Sequence, residues 1–380
     1  MKQGILFLRR MGYPAQKMMK IPKYKKYREF MEDLIKRCDT NNLIREMITE
    51  PCSNGITLKK DSNIYAMLES LSEDDAMLKA ILTDYLKSYP EEDRIKVKWA
   101  IRIIVDFSKV IRHGEYENNP YYKNIRLSEQ NNGNFTLTNK TIPKYSLCTL
   151  SETHTTEALI EVPKLCLFSY DFVVPCLKEN GFTWMSITPY EISTMKKPIS
   201  EAKGNVLTLG CGLGYYAYMV SEKPDVEHVT IIESSQEIID IFTQSILPQF
   251  PHKEKISIIK ADAFNYMSEL NDGIFNYCFA DIFSNGTDFE PYMKLKKICH
   301  KFKAMKMSFW AEEEIGLGME KSAAFVVLDE FYGTNNKEYL SMPEQKLYDY
   351  FKDKFKNVII KNPSDLYSYT LAQYLTASLF

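Results

Sequence analysis

A chain of 380 residues with 45% hydrophobic content and a formal net charge of −2 can bury a sizeable core, in two domains or in one with a large extension. That balance excludes a global field favouring nucleic acid or an anionic membrane. No apolar run approaches the roughly 18 residues of a membrane span. The eight cysteines never form C-x-x-C, so no zinc site or disulfide framework is supported and a cytoplasmic protein is expected.

Around Lys17 to Arg28, "KMMKIPKYKKYREF" interleaves lysines with tyrosines, a pattern that suits either a nucleic-acid backbone with stacked bases or a solvated helix lead-in. Residues 23 to 119 read as helical. "YKKYREFMEDLIKRCDTNNLIREMI" spaces apolar residues for amphipathic helices interrupted at "CDTNN", and Ser62 or Asp61 can cap "NIYAMLESL". "EEDRIKVKWAIRIIVDFSKVIRH" places its acids first and its bases last, as the dipole of one further helix favours. The expected organisation is a helical N-terminal domain over residues 1–120, a linker with short β elements over 121–182, and an α/β domain with a C-terminal extension over 183–380. In the linker, "NNGN" before "FTLT" is a turn-to-strand signal.

From residue 205 to 310 strands and helices alternate. "NVLTLG", "HVTIIE", "KISIIKAD", "FNYCFADIF" and "AMKMSFWA" are apolar runs suited to strands covered on both faces, which predicts a parallel, doubly wound sheet. The tail adds a helix-like "AAFVVLDEFYG", a strand-like "NVIIK" and a last amphipathic helix "DLYSYTLAQYLTASLF".

The first strand of that series runs into Gly210, Gly212 and Gly214. Glycines at a strand-to-helix junction let a ligand approach the backbone. Glu233 ends the second strand, where an acid can accept hydrogen bonds from ribose hydroxyls. Asp262 ends the third, placed for an adenine amino group with Ala263 beside it, and Asp281 ends the fourth. Gly212, Gly214 and Ala217 also satisfy the dinucleotide pattern G-x-G-x-x-A, so NAD(P) is an alternative ligand.

Taken together, "VLTLGCGLGYYAY", "VTIIES", "IIKADAFNYM" and "FNYCFADIF" resemble the class I S-adenosylmethionine-dependent methyltransferases, over roughly residues 183 to 311. The resemblance implies a Rossmann-like doubly wound sheet and S-adenosyl-L-methionine (SAM) as cofactor. The loop at Gly210, Gly212 and Gly214 would lie against its methionine part, Glu233 would bind ribose, and Asp262 with Ala263 would contact adenine. Thr208 stands where the family usually has an acid, two residues before the first glycine. Spermidine synthases lack the same acid and precede the loop with a Tyr-His-Glu-type segment, to which Tyr190 and Glu191 in "ITPYEISTMKKPI" are similar. Yet Leu213 replaces their loop aspartate, and "DIFSN" lacks their paired-acid D-x-x-D-P.

A bound sulfonium needs an acceptor aligned in line, and an acceptor hydroxyl or protonated amine also needs a base. Asp281 is the first candidate, followed by Glu191 and Tyr190. The expected function is methyl transfer to a small molecule or a protein side chain, with the N-terminal helices setting specificity. Aminopropyl transfer and a non-catalytic SAM-binding protein are the alternatives. No Asn/Asp-Pro-Pro-Tyr follows the fourth strand and the five histidines lack metal spacing, so neither nucleic-acid methylation nor a catalytic metal is expected. Trp184 can close over a ligand or pack in a core or interface.

Overall fold

The computed structural model describes residues 23–156, 160–283 and 288–355. Part of the basic cluster around Lys17, the strand-like "NVIIK" and the last predicted helix lie outside the described residues.

Helix α1 (Lys23–Ile44) runs through "CDTNN" without the predicted interruption and continues as a π-helical turn to Thr49. The polar side chains that signalled a break find partners compatible with a helix: Thr40 Oγ1 donates to the Lys36 carbonyl at 2.9 Å, Asn41 accepts from the Glu161 N–H at 3.0 Å, and Asn42 donates to the Tyr339 carbonyl at 3.2 Å. Helix α2 (Asn63–Ser70) is capped by Ser62 as predicted. After α3 (Asp74–Tyr85), the long helix expected from Glu91 divides into α4 (Glu91–Val97) and α5 (Ala100–Asp106), and its last stretch becomes strand β1 (Lys109–Ile111). Ser108 marks the change. Its hydroxyl donates to the Ile104 carbonyl at 2.6 Å and accepts the Leu165 N–H at 3.0 Å, and Val110 and Ile111 then suit a buried strand.

Residues 121–182, predicted to hold short β elements, carry much more β structure than that. After β2 (Gln130–Asn132) come β3 (Phe135–Ile142), β4 (Leu147–Thr155), β5 (Glu161–Phe168), β6 (Phe172–Glu179) and β7 (Phe182–Ser186). They form two sheets, ordered β1-β5-β4 and β2-β3-β6-β7. "NNGN" makes the β2–β3 hairpin, with Gly133 at φ +57°. The N-terminal helices bury Ile48, Leu78, Ile81 and Ile104 in one core with Leu147, Val162, Leu165 and Leu167 of β4 and β5.

Helix α6 (Pro189–Glu201) leads into the α/β region: β8 (Gly204–Leu209), α7 (Tyr215–Ser221), β9 (Val226–Glu233), α8 (Gln236–Ile241), β10 (Ile256–Lys260), α9 (Ala263–Glu269), β11 (Tyr277–Ala280), α10 (Phe289–Cys299) and β12 (Lys306–Phe309). All five strands are parallel, in the order β10-β9-β8-β11-β12. The central strands are apolar on both sides: Val206, Leu207 and Leu209 of β8 and Tyr277 to Ala280 of β11 are buried. The chain reverses its direction of winding between β8 and β11, which opens a crevice at their carboxyl ends. This is a doubly wound, Rossmann-like α/β fold. Helices α11 (Glu312–Tyr332) and α12 (Met342–Lys354) complete the described chain, where Lys321 of α11 bridges Glu344 of α12 at 2.5 Å and Glu161 of β5 at 3.2 Å.

Candidate functional site

The five strand ends converge on one edge of the sheet. Gly210 follows β8 with φ +96°, and a β-carbon there would lie 2.3 Å from the Asp281 carbonyl oxygen. Only glycine lets the loop pass this close to the end of β11. Gly212 (φ +49°) lies beneath Met185 of β7, whose sulfur would be 2.5 Å from an added β-carbon, and Gly214 (φ +71°) opens α7 against the Phe242 ring. Thr208 is buried, and its hydroxyl turns to the Gly210 carbonyl at 3.5 Å.

Glu233 is 7% exposed and holds the loop in place. Its Oε2 accepts the Cys211 N–H at 3.0 Å, while Oε1 accepts the N–H groups of Ser234 at 2.8 Å and Ser235 at 2.9 Å. Two lone pairs per oxygen leave Oε2 room for one further donor. Asp262 is exposed at the start of α9, where Oδ1 caps the helix by accepting the Asn265 N–H at 2.9 Å, and Ala263 beside it is buried. The loop and both acids therefore occupy the adjoining ends of β8, β9 and β10, and the residues fit a nucleoside: a cradle without β-carbons, one acceptor position on Glu233 and one on Asp262.

On the other side of the crevice the structure brings together all three candidate catalytic residues. Asp281 leaves β11 with its N–H on the Leu209 carbonyl at 2.9 Å, and burial pushes its carboxyl up to about 7. Glu191 comes from the first turn of α6, below the Thr188 cap; burial and then the charge of Asp281 raise it to about 8, opposed by the Trp310 indole N–H. Tyr190 sits beside them with its ring edge-on to Trp310, and its hydroxyl is pushed up by burial and by Glu314, Glu191 and Glu152. Trp310 is itself fixed, donating Nε1–H to Thr194 Oγ1 at 3.2 Å and its backbone N–H to the Ala280 carbonyl at 2.9 Å.

Beyond Tyr190 opens a recess of about 160 Å³ lined by Glu152, Glu161, Glu313, Glu314 and Glu344 together with Arg45, with Phe289 among its apolar walls. Glu314 is reached by solvent, yet its concave surroundings and the charges of Glu152 and Glu161 push it up to about 7. Glu152 is raised by burial and by Glu313. None of these glutamates stood out in the sequence, because they come from β4, β5, α11 and α12 and each one alone reads as a solvated surface acid. Trp184 lies 47% exposed on the edge strand β7, edge-on to Phe135, and not in the crevice. Of the tyrosine run, Tyr215, Tyr216 and Tyr218 are all buried in packing. Among the described residues no group of three or more His, Cys, Asp or Glu side chains is placed to hold a metal ion, and no helix is long and apolar enough to cross a membrane.

No protein-family model matches the sequence, and no curated protein matches it significantly. Among solved structures, spermidine synthase from Thermotoga maritima is similar at 17% identity over 36% of this chain and 48% of its own, with a TM-score of 0.28. A Staphylococcus aureus protein described as a caffeoyl-CoA O-methyltransferase is similar at 19% identity over 41% and 67%, with a TM-score of 0.25. The decarboxylase of precorrin 8W from Methanobacterium thermoautotrophicum is similar at 15% identity over 33% and 66%, with a TM-score of 0.26. The chain thus spans about half the length of the first of these relatives. The fold assignment rests on the strand order and polarity described above.

Proposed function

We propose that the chain is a SAM-dependent transferase that moves a carbon group onto a small-molecule or protein acceptor, with methyl transfer as the leading reading. The observation that carries it is the pairing of Asp281 and Glu191, two carboxyls raised to about 7 and about 8, beside a glycine loop that admits a ligand to the backbone. Gly210, Gly212 and Gly214 would face the methionine part of the cofactor, Glu233 would accept one ribose hydroxyl, and Asp262 with Ala263 would meet adenine. Bound there, SAM supplies an electrophilic carbon on a positively charged sulfur.

The protein's own part is alignment and proton removal. A base near neutral pH is half ionised where it must work, and Asp281, half-buried at the sheet edge, takes the acceptor's proton. Glu191 shares the negative charge and keeps the pair from being doubly ionised. Tyr190 remains protonated and can donate a hydrogen bond to the acceptor.

Aminopropyl transfer is the second reading, favoured by the acid-lined recess beyond Tyr190, whose carboxylates suit ammonium groups even though the expected D-x-x-D-P is missing. Thermal-shift measurements with S-adenosylhomocysteine, methylthioadenosine and NADH test both. A ligand at 100 times its dissociation constant adds about 2.7 kcal/mol. A shift with S-adenosylhomocysteine that disappears in Glu233→Ala is the expected result, a stronger shift with methylthioadenosine selects the second reading, and a response to NADH alone overturns both. Asp281→Asn should keep binding and lose turnover; if turnover persists, Asp281 is not the base.

A further inference from the structure

The stretch "NNPYYKN", residues 118–124, straddles the predicted boundary between the helical domain and the linker, and the structure places it against the glycine loop. Its short helical turn, Pro120–Asn124, is capped by Asn119, whose Oδ1 accepts the Tyr121 N–H at 2.9 Å. That bond fixes the orientation of the Asn119 amide, and its Nδ2 then donates to the Tyr215 hydroxyl at 2.8 Å. One turn later Asn124 Nδ2 donates to the Tyr218 hydroxyl at 2.5 Å. Between them Tyr121, fully buried, donates its hydroxyl to the Leu213 carbonyl at 2.6 Å and packs edge-on against the rings of Tyr215 and Tyr218.

The Leu213 carbonyl lies between two glycines of the loop. Gly212 and Gly214 on either side have positive φ and no β-carbon, so the backbone between them has few steric restraints of its own. The Leu213–Gly214 peptide is held from both ends instead: its N–H donates to the Cys211 carbonyl at 2.9 Å, and its carbonyl accepts from Tyr121. Leu213 is itself fully buried, so a carbonyl without Tyr121 would be left unpaired or would turn into the space the ligand needs.

We propose that Tyr121 is a positioning residue for nucleoside binding, holding the glycine loop open to the ligand through the Leu213 carbonyl. This rests on the reading that the loop holds a sulfonium nucleoside. In this chain the loop is steadied by a tyrosine from outside the α/β region.

The test compares Tyr121→Phe with Tyr218→Phe in the full chain. Both remove a tyrosine hydroxyl from this interface and should lower the thermal midpoint. Only Tyr121→Phe should weaken S-adenosylhomocysteine binding, by about tenfold, by isothermal titration calorimetry. Amide hydrogen exchange in the ligand-free protein provides a readout independent of the ligand: the Gly214 N–H should exchange faster in Tyr121→Phe and unchanged in Tyr218→Phe. Wild-type affinity and wild-type exchange in Tyr121→Phe would overturn the proposal, as would equal losses in both variants. If the wild-type protein does not bind S-adenosylhomocysteine, the nucleoside reading fails, and faster Gly214 exchange in Tyr121→Phe alone would still establish that Tyr121 fixes the loop.

Discussion

Glu191 and Asp281 stand 90 positions apart in the sequence, on a helix that precedes β8 and on the end of β11, and in the fold the charge of Asp281 raises the Glu191 carboxyl. Both groups are held above their ordinary range, so the folded chain keeps protons that the unfolded chain releases above about pH 4. Their contribution to stability is therefore complete at low pH and is lost as pH rises through about 7 and about 8. The thermal midpoint of Glu191→Gln should exceed that of the wild type at pH 8 by about 1 °C, the shift that ~1 kcal/mol produces in a chain of 380 residues. At pH 4 the difference should vanish, and calorimetric scans across that range check it.

Gly210 and Gly316 should respond to alanine in opposite directions. At Gly210 a β-carbon would meet the Asp281 carbonyl at 2.3 Å in a left-handed backbone, so Gly210→Ala should cost about 1–3 kcal/mol and abolish S-adenosylhomocysteine binding. Gly316 lies inside α11 with open space around it, and Gly316→Ala should stabilise by about 0.5–1 kcal/mol with no change in binding. Urea unfolding of the two variants measures both.

Lys321 is 17% exposed between Glu161 and Glu344, and its charge helps hold the Glu344 carboxyl below its ordinary range. Lys321→Met would leave two carboxylates facing the already acidic recess, and should destabilise the fold by about 3–5 kcal/mol at pH 7. The stabilisation of a depressed carboxyl is present at neutral pH and lost as pH falls through its folded value. The deficit of Lys321→Met should therefore shrink towards pH 4, as denaturant titrations at the two pH values would show.

Asp329 is 1% exposed and accepts hydrogen bonds from Thr334 Oγ1 at 2.7 Å, the Asn336 N–H at 2.8 Å, the Asn336 side-chain amide at 2.5 Å and the Tyr348 hydroxyl at 2.9 Å. Asp329→Ala strands all four donors at the joint between α11 and α12, and should cost about 3 kcal/mol or more. Tyr348→Phe, which removes one of them, should cost about 1 kcal/mol. The ratio of the two losses in chemical unfolding checks that the carboxylate is the centre of the joint.

The parallel sheet was legible because its strands are buried on both faces and so appear as unbroken apolar runs such as "VLTL" and "YCFA". The places of Gly210, Glu233, Asp262 and Asp281 at successive strand ends were legible because a doubly wound sheet sets those ends side by side, so position in the sequence gives position in space. Where structure depends on partners far along the chain, that signal disappears. The helix through "CDTNN" persists because Asn41 and Asn42 bond to Glu161 and Tyr339, contacts 120 and 297 residues away. Tyr121 reads as a turn residue after Asn-Pro, and only the fold shows its hydroxyl on Leu213. The acid recess was invisible for the same reason, since Glu152 and Glu314 meet only when β4 and α11 pack together.

The N-terminal helices have no separate interior. Ile48, Leu78, Ile81 and Ile104 share their core with Leu147, Val162, Leu165 and Leu167, on the same two strands that carry Glu152 and Glu161 to the recess. Cutting the chain near residue 120 would strip one face of β4 and β5 rather than detach a module, and the remainder would present a bare apolar sheet prone to self-association. Any transplant of this region's specificity into another α/β protein would have to carry the helices and both strands together, as a single graft.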